Sequence, residues 1–181
     1  MHYRQLGKTG LKVSEISMGC NRLGEPKMPD KHWVDLVRKA IELGVTLFDT
    51  AEAYLWGRSE ELLGQATEGN RDILIASKVC RVRETGEPDF SCARIIERFE
   101  GSLRLLRRDY IDIFQLHSPR LEQLKRYDWA EAMTKLKQEG KIRLVGVSIN
   151  DAPSGQWLIE QELVTRFHLV LASIVSVLVL G

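Results

Sequence analysis

Short β-branched runs alternate along this chain with longer segments in which apolar residues recur every three or four positions. This alternation is typical of β-α-β units and predicts an α/β fold built on a parallel sheet. The runs predict five strands: Ile16–Gly19, Thr46–Asp49, Ile73–Lys78, Ile111–His117 and Ile142–Ser148. Gly7 and Gly10 fit a tight turn, so the flanking runs Tyr3–Leu6 and Leu11–Val13 predict a β-hairpin ahead of the sheet.

Helices are predicted between these strands, because the apolar spacing there matches one face of a helix. Asp30 is a candidate N-cap for the first helix, which is expected to end at Gly44. The remaining helices are predicted over Ser59–Ala66, Ala93–Leu106, a segment from after Pro119 to near Gly140, and Gln156–Leu163.

The last segment, Phe167–Leu180, is almost wholly apolar. A buried sixth strand is the first interpretation, because a buried parallel strand loses its polar alternation. A membrane-spanning helix would need about 20 apolar residues, which this segment does not supply. A tail foreign to the fold, from a shifted reading frame or a truncated gene, is the other alternative.

Composition fits one globular domain over residues 1–181, with 166–181 as a tail that departs from the rest. The net charge is +1 and the basic residues are scattered, so a nucleic acid is not an expected partner, and the apolar tail is too short for a membrane to be expected. The three cysteines lack CxxC spacing and favour a reducing compartment. The polar N-terminus does not resemble a signal peptide, so a cytoplasmic location is predicted.

Four chemically apt residues lie at or just beyond the C-terminal ends of predicted strands: Asp49, Tyr54, Lys78 and His117. Taken singly, each has a plain structural interpretation, such as a turn-forming aspartate or a solvated lysine. Together they indicate one site, because strand ends on the same rim of a parallel barrel converge in space. A phenol, an ammonium, a carboxylate and an imidazole suit proton transfer to a carbonyl oxygen.

The strings FDTAEAYLWGRSEELLGQA (Phe48–Ala66), YIDIFQLHSP (Tyr110–Pro119) and KIRLVGVSIN (Lys141–Asn150) resemble the aldo-keto reductases. The resemblance implies a (β/α)8 barrel that reduces small aldehydes or ketones, with NADPH favoured over NADH and no metal. It also implies a catalytic tetrad with Tyr54 as the proton donor, Lys78 and Asp49 as the pair that tunes it, and His117 as the residue that orients the substrate.

Residues that would bind the cofactor follow from the same resemblance: Gly19, Asn21, Asp49, Ser148, Asn150 and His168. His168 stands where relatives place a glutamine under the nicotinamide, and Ala172 stands where they place an asparagine. No histidine pair has the spacing of a metal site, so none is predicted.

A (β/α)8 barrel typically needs about 250 residues, and this chain has 181. The expected architecture is therefore an incomplete barrel of about five βα units plus a sixth strand; an open doubly wound sheet is the weaker alternative. Unpaired sheet edges predict low stability or self-association. Two functional classes stay open: an NAD(P)H-dependent reductase, and a non-catalytic or regulatory relative like the family's channel-associated subunits.

Overall fold

A computed structural model describes residues 1–79, 82, 85–163 and 170–173 of the chain. It has a two-stranded antiparallel hairpin and a six-stranded parallel sheet. The strands are β1 (Tyr3–Gln5), β2 (Lys12–Ser14), β3 (Met18–Gly19), β4 (Leu47–Asp49), β5 (Leu74–Val79), β6 (Ile111–His117), β7 (Ile142–Ile149) and β8 (Val170–Ser173). The helices are α1 (Asp30–Glu42), α2 (Arg58–Thr67), α3 (Cys92–Leu106), α4 (Leu121–Arg126), α5 (Trp129–Gln138) and α6 (Ala152–Glu160).

The parallel sheet runs in chain order from β3 to β8, with at least one helix between each pair of successive strands. This order confirms the predicted α/β class, the part-barrel of βα units and the leading hairpin. It also confirms a sixth strand, because Val170–Ser173 pairs in parallel with β7. The rest of the predicted run Phe167–Leu180 lies outside the described residues.

The outward face of the sheet carries the larger of two apolar clusters. Phe99 of α3 packs edge-on against Phe114 of β6, with ring centroids 4.8 Å apart. Both rings are fully buried, as are Trp129 and Met133 of α5. Burial of such side chains stabilises each by about 1.5–3 kcal/mol, which explains why the helices cover this face. Within the described ranges, no helix is long and apolar enough to cross a bilayer.

The hairpin packs against the inward face of the sheet. It contributes three buried side chains to a second, smaller apolar cluster, and the strands contribute five: Leu6, Leu11 and Val13 with Leu47, Leu74, Ala76, Ile113 and Leu144. The strand residues lie in the N-terminal or middle parts of their strands, so the hairpin packs beneath the rim formed by the C-terminal strand ends. The rim is consequently where polar side chains can project inward without entering the apolar core.

The single helix predicted between Pro119 and Gly140 was wrong, because the structure has two helices there. The backbone of Tyr127 is extended and ends α4, and α5 begins at Trp129. Side-chain bonds favour this break: Asp128 Oδ1 accepts the Cys92 N–H at 2.8 Å, and Trp129 Nε1 donates to the Leu124 carbonyl at 2.9 Å.

Two predicted helix starts also differ from the structure. Pro29 is the N-cap of α1, and Asp30 is its first residue, where the carboxylate forms an ion pair with Arg58. Helix α6 begins at Ala152, earlier than the predicted Gln156, because Asp151 is its N-cap and accepts the Ser154 N–H at 2.7 Å. The local Asp-Ala-Pro-Ser sequence carries that start signal, since a capping aspartate precedes a proline in the first turn.

A buried carboxylate connects three strands near their N-terminal ends. Asp112 of β6 is fully buried and accepts the Ile75 N–H of β5 at 3.0 Å. Its other oxygen accepts from Arg143 of β7 at 2.9 Å. Because an unpaired buried charge is costly, this arrangement fixes the spacing of β5, β6 and β7 as well as satisfying the carboxylate.

Replacing Asp112 with alanine should lower the free energy of unfolding by about 3 kcal/mol or more, because it leaves Ile75 N–H and the Arg143 charge without this partner. Urea unfolding at fixed pH measures the loss. Asp109→Ala is the matched control, since its ion pair with Arg71 is exposed and should contribute less than about 1 kcal/mol. Equal losses in the two variants would contradict the assignment.

Candidate active site

The C-terminal strand ends carry polar side chains on the inward face of the sheet. Successive side chains of a strand point to opposite faces, so every second residue shares a face. On β5 the inward positions are Leu74, Ala76 and finally Lys78. The same alternation places three more polar residues at the rim: Asp49, His117 and Ser148.

The Lys78 ammonium is the best-connected group at this rim. Its side chain is only 5% exposed and forms a short ion pair with Asp49 Oδ1. Nζ also donates to the Thr50 carbonyl at 2.8 Å and lies 3.4 Å from the Tyr54 hydroxyl. Asp49 and the Thr50 carbonyl offset the cost of burying the ammonium beside the phenol.

Tyr54 reaches the rim from the loop after β4. Its N–H donates to the Ala51 carbonyl at 3.0 Å, and a 3-10 turn starts at this residue. The ring meets the His117 imidazole edge-on, with centroids 5.6 Å apart and planes at 88°. The structure therefore brings all four residues of the predicted tetrad together, and the phenol contacts both a cation and an imidazole. Such a phenol is well placed to give a proton to an oxygen bound nearby.

The predicted cofactor residues near the start of the sheet also lie at this rim. Gly19 ends β3 in register with Asp49, and Asn21 follows in an exposed turn. An added Cβ at Gly19 would have no protein atom within 4 Å. Open space therefore adjoins Gly19 at the rim.

The predicted cofactor residues near the other end of the sheet differ in their positions. Ser148 is buried and pairs in register with His117, so its side chain lies at the tetrad. Asn150 is exposed just beyond β7. His168 lies outside the described residues. Binding by each of these residues stays a prediction.

Comparison with known sequences decides the family. The family model for the "Aldo/keto reductase family" matches residues 15–174. The chain belongs to the aldo-keto reductase family. The "uncharacterized oxidoreductase YqkF" of Bacillus subtilis (strain 168) is 39% identical over 153 residues, which are 82% of this chain and 49% of YqkF. This aldo-keto reductase chain thus spans about half the length of that relative.

Solved structures support the same assignment. The holo form of aldo-keto reductase AKR11C1 from Bacillus halodurans has a TM-score of 0.81 and 35% identity, covering 96% of this chain and 57% of that one. An aldo/keto reductase from Klebsiella pneumoniae, in complex with NADP and acetate, has a TM-score of 0.72 and 36% identity, covering 82% and 50%. The fold of this aldo-keto reductase is therefore part of the (β/α)8 barrel of its relatives.

The turn that follows Tyr54 has an uncommon backbone that the sequence did not reveal. Leu55 and Trp56 both have positive φ values, 50° and 53°, a region that non-glycine residues seldom occupy. Both side chains are exposed, although they are large and apolar. The chain therefore exposes apolar side chains directly after Tyr54, whereas Trp129 is buried in the outer core and does not reach the rim.

A buried polar group lies on the opposite side of β5 and was missed by sequence analysis. Glu60 of α2 accepts a hydrogen bond from Ser77 at 2.6 Å and also bonds Ser102 of α3. Burial raises the pKa of the Glu60 carboxyl to about 7, against the lowering effect of the two serines. Glutamate in the first turn of a helix is common on the surface, so no sequence signal distinguishes this one.

The described residues bring one ligand atom each of Cys92, Asp128 and Glu131 within 4.8 Å of one another. Asp128 already accepts the Cys92 N–H, so a helix-capping role accounts for this approach. The expected absence of a metal site stays a prediction.

Glu60→Gln should become more stable relative to the unmodified protein as pH rises from 5 to 8. The folded-state pKa of Glu60 is raised, so this carboxyl group contributes its full stabilisation at pH values below its ordinary pKa of 4.5. That contribution is lost as the pH rises toward 7. The free energy of unfolding of Glu60→Gln, relative to that of the unmodified protein, should increase by about 2 to 3 kcal/mol between pH 5 and 8. Urea unfolding measures this difference. Glu61→Gln, at an exposed ion pair with Arg58, should show little such trend; parallel curves for both variants would refute the assignment.

Proposed function

We propose that this chain reduces aldehydes or ketones to alcohols with NADPH, using Tyr54 as the proton donor. The observation that supports this most directly is the position of the Lys78 ammonium, which contacts both Asp49 and the Tyr54 hydroxyl beside His117. A buried cation next to a phenol is the pairing that carbonyl reduction requires, because the phenol must lose a proton as the reaction proceeds.

The proton has a simple route. A bound nicotinamide cofactor would supply hydride chemistry at the carbonyl carbon, so the carbonyl oxygen would have to gain a proton. Tyr54 donates that proton from its hydroxyl, and the resulting phenolate is stabilised by the Lys78 ammonium, which Asp49 holds in place. His117 hydrogen-bonds the carbonyl oxygen and orients it toward the phenol. Solvent protons then restore the phenol.

The residues at the rim fit a nicotinamide cofactor. Open space adjoins Gly19, and the buried Ser148 hydroxyl lies beside His117, so an amide-bearing ring could lie across these strand ends. Gly19, Asn21, Ser148 and Asn150 would hold it. NADP rather than NAD is favoured by the Klebsiella relative, whose structure contains NADP.

The non-catalytic alternative stays distinguishable from the reductase. A regulatory relative would not need an ammonium that contacts both a phenol and a carboxylate, so these contacts favour the enzyme. Because the chain spans about half of its relative YqkF, turnover by this chain itself is part of the proposal.

Tyr54→Phe should lower NADPH oxidation with a reactive aromatic aldehyde by about 100-fold or more, because loss of a general acid typically costs this much. Absorbance at the reduced-nicotinamide band measures the rate. Nicotinamide fluorescence should show NADPH binding within a factor of about two of the unmodified protein, because the hydroxyl is assigned to proton transfer.

Tyr127→Phe is the matched control, since Tyr127 packs against Phe90 on the outer side of the sheet. Its activity should be unchanged. Turnover that Tyr54→Phe leaves intact would exclude Tyr54 as the donor, and absence of both turnover and NADPH binding in the unmodified protein would exclude the enzyme.

A further inference from the structure

The loop that carries Tyr54 is bonded directly to β5. Thr50 N–H donates to the Ala76 carbonyl at 2.8 Å, and Glu52 N–H donates to the Lys78 carbonyl at 3.1 Å. The Lys78 ammonium in turn donates to the Thr50 carbonyl at 2.8 Å. The segment 50–53 is therefore held by the backbone and by the side chain of the same lysine that contacts Tyr54.

The side chain of Glu52 holds the same segment to a helix. Glu52 is 3% exposed, and its Oε2 forms a short ion pair with Arg98 Nε of α3. A carboxylate buried to this degree is costly without its cation. Any shift of the loop away from β5 would stretch this ion pair, so Arg98 opposes such a shift.

A further carboxyl group lies near the Glu52–Arg98 pair. Glu60 of α2 lies close enough for the Glu52 charge to raise its pKa and the Arg98 charge to lower it. Glu60 is bonded to Ser77, the residue that precedes Lys78 on β5. The Arg98 guanidinium thus pairs with Glu52 and also lies near the Glu60 carboxyl, behind the strand that carries Lys78.

We propose that Glu52 and Arg98 are positioning residues, which hold the 50–54 loop so that the Tyr54 hydroxyl stays next to Lys78. Both roles are indirect: the Glu52 segment acts through its backbone bond to Lys78, and Arg98 acts through Glu52. The catalytic consequence rests on the proposed reductase function, whereas the structural consequence for the loop does not.

The test compares Glu52→Gln and Arg98→Gln with Arg98→Lys and with the matched control Arg94→Gln. Arg94 lies one turn earlier on α3 and pairs with the exposed Glu97. With NADPH and an aromatic aldehyde, both glutamine variants should lose on the order of 10- to 100-fold in kcat, because small misplacements of a catalytic group have effects of this size. Their KM for NADPH should stay within a factor of about two, and Arg98→Lys should recover most of the kcat.

A second measurement reports on the loop without any turnover. Hydrogen exchange of the 50–54 amides, followed by mass spectrometry, should accelerate about 10-fold or more in both glutamine variants as the loop opens locally. In protein labelled with 3-fluorotyrosine, the ¹⁹F resonance that Tyr54→Phe removes should shift in the same variants. Arg94→Gln should change neither signal, and it should keep full activity.

The outcomes separate this proposal from the reductase assignment. Unchanged exchange in the 50–54 amides overturns the positioning role, whatever the activity. Faster exchange and a shifted Tyr54 resonance support it even if the unmodified protein shows no turnover, a result that would reject only the enzyme. Faster exchange with an unaltered kcat in an active enzyme, or the same effects in Arg94→Gln, also overturns it.

Discussion

The buried ammonium of Lys78 is the constraint on which the site depends. An interior strand position offers little water, so the positive charge has to be compensated by protein groups. Asp49 and the Thr50 carbonyl supply that compensation, and both lie at the end of the neighbouring strand β4 or just beyond it. The contacts that compensate the charge therefore also hold the loop after β4 against β5. This loop carries Tyr54 and so places its hydroxyl near Lys78.

Strand β5 has polar side chains on both of its faces. Lys78 faces the rim, whereas the preceding Ser77 faces α2 and α3, where it bonds Glu60. Alternation of side chains makes adjacent residues serve opposite layers of the fold. Only one strand therefore separates the polar groups of the outer layer from the rim. Apolar packing dominates the rest of that layer.

Much of this architecture could be predicted from the sequence. The apolar runs indicated β3 to β7 within a few residues, because buried parallel strands have a strong and simple pattern. The break between α4 and α5 could not be predicted in the same way. It depends on Asp128 capping a helix that is distant in sequence, and the local apolar spacing continues across it. The Glu52–Arg98 ion pair likewise could not be predicted, since a charged residue in a loop or on a helix is usually solvated.

The sequence by itself indicated strands β3 to β7, the four candidate rim residues and the family, because apolar runs and three ordered motifs are local properties of the chain. Tertiary structure decided which of those residues touch. Lys78 bridges Asp49 and Tyr54 only once parallel pairing aligns β4 with β5. It also decided that Glu60 is buried and that Trp56 is exposed, since burial depends on neighbours far away in the chain, and no local pattern records them.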